Sequence, residues 1–313
     1  MQNTDLKSVR VSAGILIKNN KILLTQRLKT QPYPYFWEFP GGKKKDRESY
    51  FSCLKRELHE EIGINVKDAK KWIQRQYVRD GINIKIIFYI VHSWSGKISA
   101  KEVNDYRWID PKTNDSILKK ILPKNKYLLK ALRLPPFYLI SNFDELRYKI
   151  KKINLSEKVF LQIREKELKK HDVEFIYESL RDKDKLTLIQ NFDNKTQLKN
   201  VKNIHLPSKY LKKEAIKKIK NKYKLIGASV HNLKELRLAE SLGVDYILVG
   251  PVLKTKSHDK AKPIGWSKFN EIANESDTPV YALGGMCFEH LASALRNGAV
   301  GISSKSKLWD YWT

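Results

Sequence analysis

The stretch Gly42–Ile64, GKKKDRESYFSCLKRELHEEIGI, decides the first half of the fold. It opens on a glycine turn, runs into an amphipathic helix carrying Glu57, Glu60 and Glu61, and stops at Gly63. Positions i, i+3 and i+4 of a helix share one face, so the three carboxylates are expected to converge on one patch. Like charges that close repel unless something neutralises them. A divalent cation is the natural neutraliser, and hard oxygen ligands favour magnesium or manganese. Phe51, Leu54 and Leu58 form an adjoining apolar stripe that would pin the helix to a core. The plainer alternative is a solvated acidic face, and the flanking residues argue against it.

Gly42, Glu48 and the run Arg56-Glu57-Leu58-His59-Glu60-Glu61-Ile62-Gly63-Ile64 fit every fixed position of the Nudix box. Residues 1–133 therefore resemble a Nudix hydrolase domain, for which the resemblance implies an α/β/α sandwich. The preceding Trp37-Glu38-Phe39-Pro40-Gly41-Gly42 resembles the MutT branch of that family. That branch clears oxidised nucleotides, such as 8-oxo-dGTP, from the precursor pool of DNA replication. The implied activity is a magnesium-dependent (or manganese-dependent) diphosphatase acting on a nucleoside triphosphate.

The same resemblance implies a set of site residues. Glu57, Glu60, Glu61 and the carbonyl of Gly41 would hold the metal, with Arg56 orienting the glutamates. A glycine at 41 lets the backbone approach an ion closely. Glu48 is expected to cap the helix start, where the helix end favours a carboxylate. MutT-like enzymes take a further catalytic and metal-binding glutamate from a loop eight residues after a tryptophan. Trp94 and Glu102 hold that spacing, followed by Trp108. Substrate contacts carry over to Arg27, Glu38, Phe39, Pro40, Gly41 and Asn125, the last matching an asparagine that reads the oxidised purine. Asn125 would otherwise be an ordinary helix cap. One departure is Pro32, where some members have a nucleotide-contacting histidine.

Composition bounds the remaining choices. The chain has 313 residues, enough for two domains, and a formal net charge of +27. Residues 1–134 hold 28 of the 61 basic and 13 of the 34 acidic side chains, so the excess is shared between the halves. It is mostly Lys, comes with no nucleic-acid-binding motif, and reads as drifted surface charge more readily than as selected binding. No apolar run reaches the length of a membrane span, and MQNTDLKSVR lacks the apolar stretch of a signal peptide. Cys53 and Cys287 have no metal-ligand or redox spacing, so a reducing cytoplasm is the expected home.

Along the chain, 10–17 and 22–27 read as strands about Asn19-Asn20, and 71–78 and 82–92 as strands about Asp80-Gly81. Tyr106–Ile109 is a further short strand, and 116–133 is helical with a break at Pro123. Leu134-Pro135-Pro136 marks a boundary, since two prolines cannot continue a helix. Beyond it, eight short apolar runs alternate with Lys-rich helical stretches: 137–141, 159–163, 186–190, 203–206, 225–230, 246–250, 279–285 and 300–304. This pattern predicts a (β/α)8 TIM barrel over 137–313, and an α/β class for the whole chain.

Residues 137–313 resemble thiamine phosphate synthase and its relative, thiazole tautomerase. Gln162-Ile163-Arg164-Glu165-Lys166, Gly227–His231, Gly250-Pro251-Val252, Thr255-Lys256-Ser257 and Gly284-Gly285 carry the likeness. It implies a phosphate or ligand site built from Gln162, Arg164, Lys166, Ser229, Thr255, Ser257, Gly284 and Gly285, with serines near Ser303 adding donors. The synthase holds magnesium with aspartates after its third and fourth strands. Here Asn191 is followed by Phe192, and the second place is Tyr210; Asp193 lies one residue further on. The tautomerase's histidine after the sixth strand is Pro251. A barrel that binds a phosphorylated thiamine-pathway ligand but has lost synthase chemistry is expected, and a barrel kept as scaffold is the alternative.

Three functions compete on these grounds. The first is removal of oxidised purine nucleoside triphosphates, beside a degenerate barrel. The second is Nudix hydrolysis of a thiamine-pathway diphosphate whose ligand the barrel binds. The third is a basic nucleic-acid-associated binding protein. No membrane partner is expected for any of them.

Overall fold

The structure, a computed structural model, describes residues 7–111, 116–141, 143–196, 198–255 and 262–312. The chain divides into two compact units, Met1–Arg133 and Leu134–Thr313.

The first unit is a seven-stranded mixed sheet with a helix laid on it. Strands β1 (Lys7–Lys18) and β2 (Lys21–Gln26) meet at Asn19-Asn20, both with positive φ, the backbone that a two-residue hairpin turn demands. Strands β3 (Trp37–Glu38) and β4 (Gly41–Lys43) bracket Phe39-Pro40. After helix α1 (Tyr50–Ile62) come β5 (Asn65–Arg79) and β6 (Ile82–Ser95), hinged at Asp80-Gly81, again with positive φ at both positions. Strand β7 (Asp105–Ile109) closes the set. The sheet order is β3-β2-β1-β6-β5, with β4 on β1 and β7 on β2; β1 and β6 run parallel over Lys7–Leu16 and Ile82–Val91. The β5–β6 ladder is interrupted by register shifts between Val66 and Asp68, Asp68 and Ala69, and Lys71 and Gln74.

Leu54, Leu58 and Ile62 of α1 are fully buried and join Leu16, Leu23, Ile87 and Val91 in one core. A Cβ at Gly14 would stand 2.9 Å from a Leu58 methyl, so β1 carries a glycine where the helix presses closest. Phe51, expected in the buried stripe, is half-buried against that core. The stretch expected to be one helix with a break is two elements: a 3-10 turn over Ser116–Lys120 and helix α2 (Pro123–Ala131). Pro123 begins the second, because the first helical position needs no N–H donor and suits proline's fixed φ.

The second unit is a closed barrel of eight parallel strands. In chain order these are β8 (Phe137–Ile140), β9 (Val159–Ile163), β10 (Leu186–Asn191), β11 (Asn203–Leu206), β12 (Leu225–Val230), β13 (Tyr246–Val249), β14 (Val280–Leu283) and β15 (Gly301–Ser304). Each pairs with the next, and β15 pairs with β8. Helices α3 (Phe143–Lys152), α4 (Lys170–Leu180), α5 (Lys213–Ile219), α6 (Leu233–Ser241), α7 (Gly265–Glu275) and α8 (Leu291–Arg296) lie between successive strands, except that among the described residues no helix separates β10 from β11. Strand residues that alternate toward the axis include Tyr138, Gln162, His205 and Tyr246, all buried. A Cβ at Gly227 would overlap the Tyr246 ring, so β12 needs a glycine there. Among the described residues no helix is long and apolar enough to cross a membrane.

Candidate active sites

In the first unit, local chemistry sets α1 first. Ser49 is its N-cap, accepting a hydrogen bond from the Ser52 amide, and Gly63 ends it in the left-handed conformation, donating back to His59. Glu48, expected to be that cap, is instead a partner of Arg56. Its oxygens accept from Arg56 Nη2 at 2.8 Å and Nε at 3.2 Å, and from the Lys45 amide at 2.6 Å. A hydroxyl one residue later reaches the helix amides, which leaves the carboxylate to the guanidinium. Those hydrogen bonds bring the Glu48 carboxyl down to about 2.

Arg56 then turns to its own helix. Its Nη1 donates to Glu57 at 2.7 Å and to Glu60 at 2.8 Å, while Nη2 also reaches the Lys43 carbonyl at 3.0 Å. One planar fork thus ties the turn, the loop and two helix carboxylates together. Glu61 points elsewhere, accepting from the Gly41 amide at 2.8 Å. Burial pushes the Glu61 carboxyl up to about 8, against that hydrogen bond, and the charges of Glu38, Glu57 and Glu102 add to the rise. Burial likewise raises Glu57, with Arg56 opposing it.

As the side chains stand, Arg56 bonds Glu57 and Glu60, while Glu61 bonds the Gly41 amide. Among the described residues no group of three or more His, Cys, Asp and Glu is arranged to hold a metal. The Arg56 guanidinium supplies a neutralising charge to Glu57 and Glu60. The donor chemistry nevertheless fits a hard divalent ion, since the oxygens are carboxylate and carbonyl. A Cβ at Gly42 would overlap the Glu57 carboxylate, and one at Gly41, whose φ is +145°, would collide with the Ser12 carbonyl.

The remaining expected residues border the same helix end and turn. The Glu102 amide donates to the Glu61 carbonyl at 3.3 Å, and Lys101 to the same oxygen at 3.0 Å. This brings the exposed Glu102 to Glu61, while Trp94 stacks on Trp108 with centroids 6.3 Å apart. Arg27 forms a 2.6 Å ion pair with Glu38 and donates to the Pro32 carbonyl at 2.7 Å. Asn125 lies in the first turn of α2 without capping it. Its Oδ1 accepts from the Phe39 amide at 3.3 Å, across 86 residues of chain. Phe39 and Pro40 are buried, and the Pro40 carbonyl accepts from Gly14 at 2.8 Å.

The second unit carries a cavity of about 1250 Å³ at the C-terminal ends of its strands. Gln162, Arg164, Lys166, Ser229, Thr255, Gly284 and Gly285 all line it. Ser257 lies outside the described residues. Gly284 and Gly285 have φ of +96° and +69°, and side chains there would press on Pro251 and on the Lys254 carbonyl. Ser303 is fully buried with its hydroxyl unpartnered among the described residues, and its neighbours Ser304 and Ser306 line the cavity.

Beneath the cavity runs a chain of polar contacts that sequence reasoning missed. Tyr138 donates to Gln162 at 3.1 Å and lies 3.0 Å from the Tyr246 hydroxyl. Tyr246 is 3.4 Å from His205 Nδ1, and His205 Nε2 is 2.8 Å from the Ser229 hydroxyl. Gln162 donates to Asn191 at 2.7 Å, and Asn191 to Asp193. Complete burial, helped by the charge of Arg164, lowers His205 to about 3. Its signal was available: a histidine amid the apolar run 203–206 must find partners inside the barrel. At the expected magnesium place, Phe192 and Tyr210 meet ring to ring, centroids 4.9 Å apart. Asp193 is held by Lys209 at 3.1 Å.

Comparison with known proteins divides the chain at the same place. The NUDIX domain model matches residues 8–132, and the thiamine monophosphate synthase model matches residues 140–308. A protein of Aquifex aeolicus, named as a provisional thiamine-phosphate synthase 2, is 30% identical over 186 residues, 56% of this chain and 98% of that protein. The 8-oxo-dGTP diphosphatase of Buchnera aphidicola subsp. Schizaphis graminum is 38% identical over 104 residues, 33% of this chain and 78% of that protein. The enzyme of the same name from Haemophilus influenzae is 38% identical over 114 residues, 36% of this chain and 83% of that protein.

Proposed function

Because the chain belongs to the thiamine monophosphate synthase family through residues 140–308 and to the Nudix family through residues 8–132, we propose a hydrolase joined to a phosphate-binding barrel. Residues 1–133 act as a pyrophosphohydrolase that cleaves oxidised purine nucleoside triphosphates, 8-oxo-dGTP giving 8-oxo-dGMP and pyrophosphate. Its role is to keep the nucleotide pool clean. The observation that carries this reading is the carboxylate row of α1 set against the Gly41-Gly42 turn.

Glu57, Glu60, Glu61 and the Gly41 carbonyl would hold a magnesium or manganese ion, which supplies charge for the polyphosphate and lowers the pKa of water. Arg56 holds Glu57 and Glu60 in register until they take up that task. Glu61, buried among like charges, is the carboxylate that gains most from a cation. Glu102, brought beside Glu61 through its backbone, serves as base toward the attacking water. Arg27, fixed by Glu38, faces the nucleotide. Asn125, tied to the Phe39 amide, reads the base, and its unpaired amide groups would penalise a purine of the wrong pattern.

Turnover tests this directly. Wild-type protein should hydrolyse 8-oxo-dGTP in clear preference to dGTP, and chelator should abolish turnover. Glu57→Gln or Glu61→Gln should cost at least about a hundredfold, since ion-supplied charge is worth several kcal/mol. Asn125→Ala should erode the preference more than the rate. Equal treatment of the two nucleotides would remove the oxidised-base reading, and full activity in chelator would remove the hydrolase reading itself.

The basic cavity of the barrel favours one second reading, hydrolysis of a thiamine-pathway diphosphate whose ligand the barrel binds. Adding thiamine diphosphate to the same panel separates the two. In either case we expect no thiamine phosphate synthesis, because Phe192 and Tyr210 stand where carboxylates are needed.

A further inference from the structure

Seven of the side chains lining the barrel cavity are Lys or Arg, and two are acids, Asp193 and Asp310. Each acid already holds a lysine: Asp310 binds Lys149 at 2.6 Å, and Asp193 binds Lys209 at 3.1 Å. Magnesium asks for several hard oxygens in near-octahedral array. Around Asp193 the chain offers instead the paired rings of Phe192 and Tyr210 and the amide of Asn191. The residues present do not fit the ion that the barrel family uses.

Lys209 is a lining cation held in place by an ion pair. Its partner Asp193 is only 13% exposed and is itself anchored by Asn191, and the Lys209 ammonium lies 4.7 Å from the centroid of the Tyr210 ring. An ammonium has three donors, so binding one carboxylate leaves it able to meet phosphate oxygens. A charge already fixed in place loses little side-chain freedom on binding.

We propose that the barrel binds the phosphate or diphosphate group of its ligand without a divalent ion, with Lys209, held on Asp193, as the resident cation. This rests on the barrel being a phosphate-binding site. Arg164 and Lys166 at the end of β9 supply further charge, and Gly284-Gly285 supplies backbone approach. The ligand class is a phosphorylated small molecule that arrives uncomplexed by metal.

Calorimetric titration of the full chain with inorganic phosphate, in chelator and again in millimolar magnesium, tests it. Binding is expected in chelator and should change less than about twofold with magnesium. Lys209→Ala should weaken it at least about tenfold, Asp193→Asn should weaken it less, and Lys209→Arg should preserve it within a few fold. Lys209 is 58% exposed, so these variants should fold, which circular dichroism verifies. In a Phe192→Asp, Tyr210→Asp double variant, magnesium should begin to strengthen binding. Phosphate binding that requires magnesium in the wild type, or that ignores Lys209→Ala, overturns the proposal but leaves the phosphate site. Absence of binding in both buffers overturns the phosphate site, and the proposal with it.

Discussion

Arg56 is the residue on which the first site turns, because it satisfies three carboxylates at once. Replacing it with lysine keeps one charge but loses the planar fork, so Glu48, Glu57 and Glu60 cannot all be met. Arg56→Lys should therefore cost about ten- to a hundredfold in turnover while shifting the urea midpoint little. Glu61 makes the opposite case, a residue whose function works against stability. In chelator its carboxyl titrates near 8 in the native state and near 4.5 in the unfolded chain. Between those values the native protein holds a proton that the unfolded chain has released, so stability declines as pH rises through that window. Glu61→Gln should flatten the decline and raise the urea midpoint at pH 8, while abolishing turnover. A midpoint that falls in the variant would refute the account. Helical spacing puts 57, 60 and 61 on one face, and the match to the Nudix box is what singled them out together with Arg56. What Arg56 does to them was not legible in the sequence, since its reach to Glu48 and Lys43 depends on how the turn folds back.

Elements were the most legible scale where hydrophobic runs were short and bounded. All eight barrel strands fall on apolar runs between Lys-rich helices, and both hairpins fall on Asn-Asn and Asp-Gly. Legibility ended where pairing is distant, as in the parallel β1–β6 ladder and the Asn125–Phe39 contact, which no local pattern encodes. Helix α1 depends on its neighbours through one atom that is missing. A methyl group at Gly42 would displace the Glu57 carboxylate, so Gly42→Ala should lower turnover at least about tenfold with the fold intact by circular dichroism. An unchanged rate would show that Glu57 has room to spare. In the barrel, β11 brings its own sensitivity to acid. His205 titrates near 3 when folded and near 6.5 when unfolded, so the unfolded chain takes up a proton that the native state refuses. Stability of the barrel should fall as pH is lowered from about 6.5, by up to about 1.4 kcal/mol per pH unit. Urea unfolding between pH 7 and 5 measures that slope, and His205→Gln should reduce it.

Among the described residues one hydrophobic core is built within residues 16–91 and another within residues 137–312. Each unit has its own buried centre, so each should fold alone. Fragment 1–133 should retain the full chain's turnover within about threefold, and fragment 134–313 should unfold cooperatively in urea. Either fragment remaining unfolded would contradict the division. The two units also meet the surrounding solution differently. A closed barrel has no free strand edge, whereas the open sheet ends at β5, 15 residues long and paired on one side, to β6, among the described residues. Such an edge invites another chain to add a strand. Three register shifts roughen it, and Lys67, Lys70 and Lys71 stand exposed along it. Charge and bulges of this kind blunt an open strand edge toward aggregation, a use for part of the surplus lysine that is unrelated to any substrate.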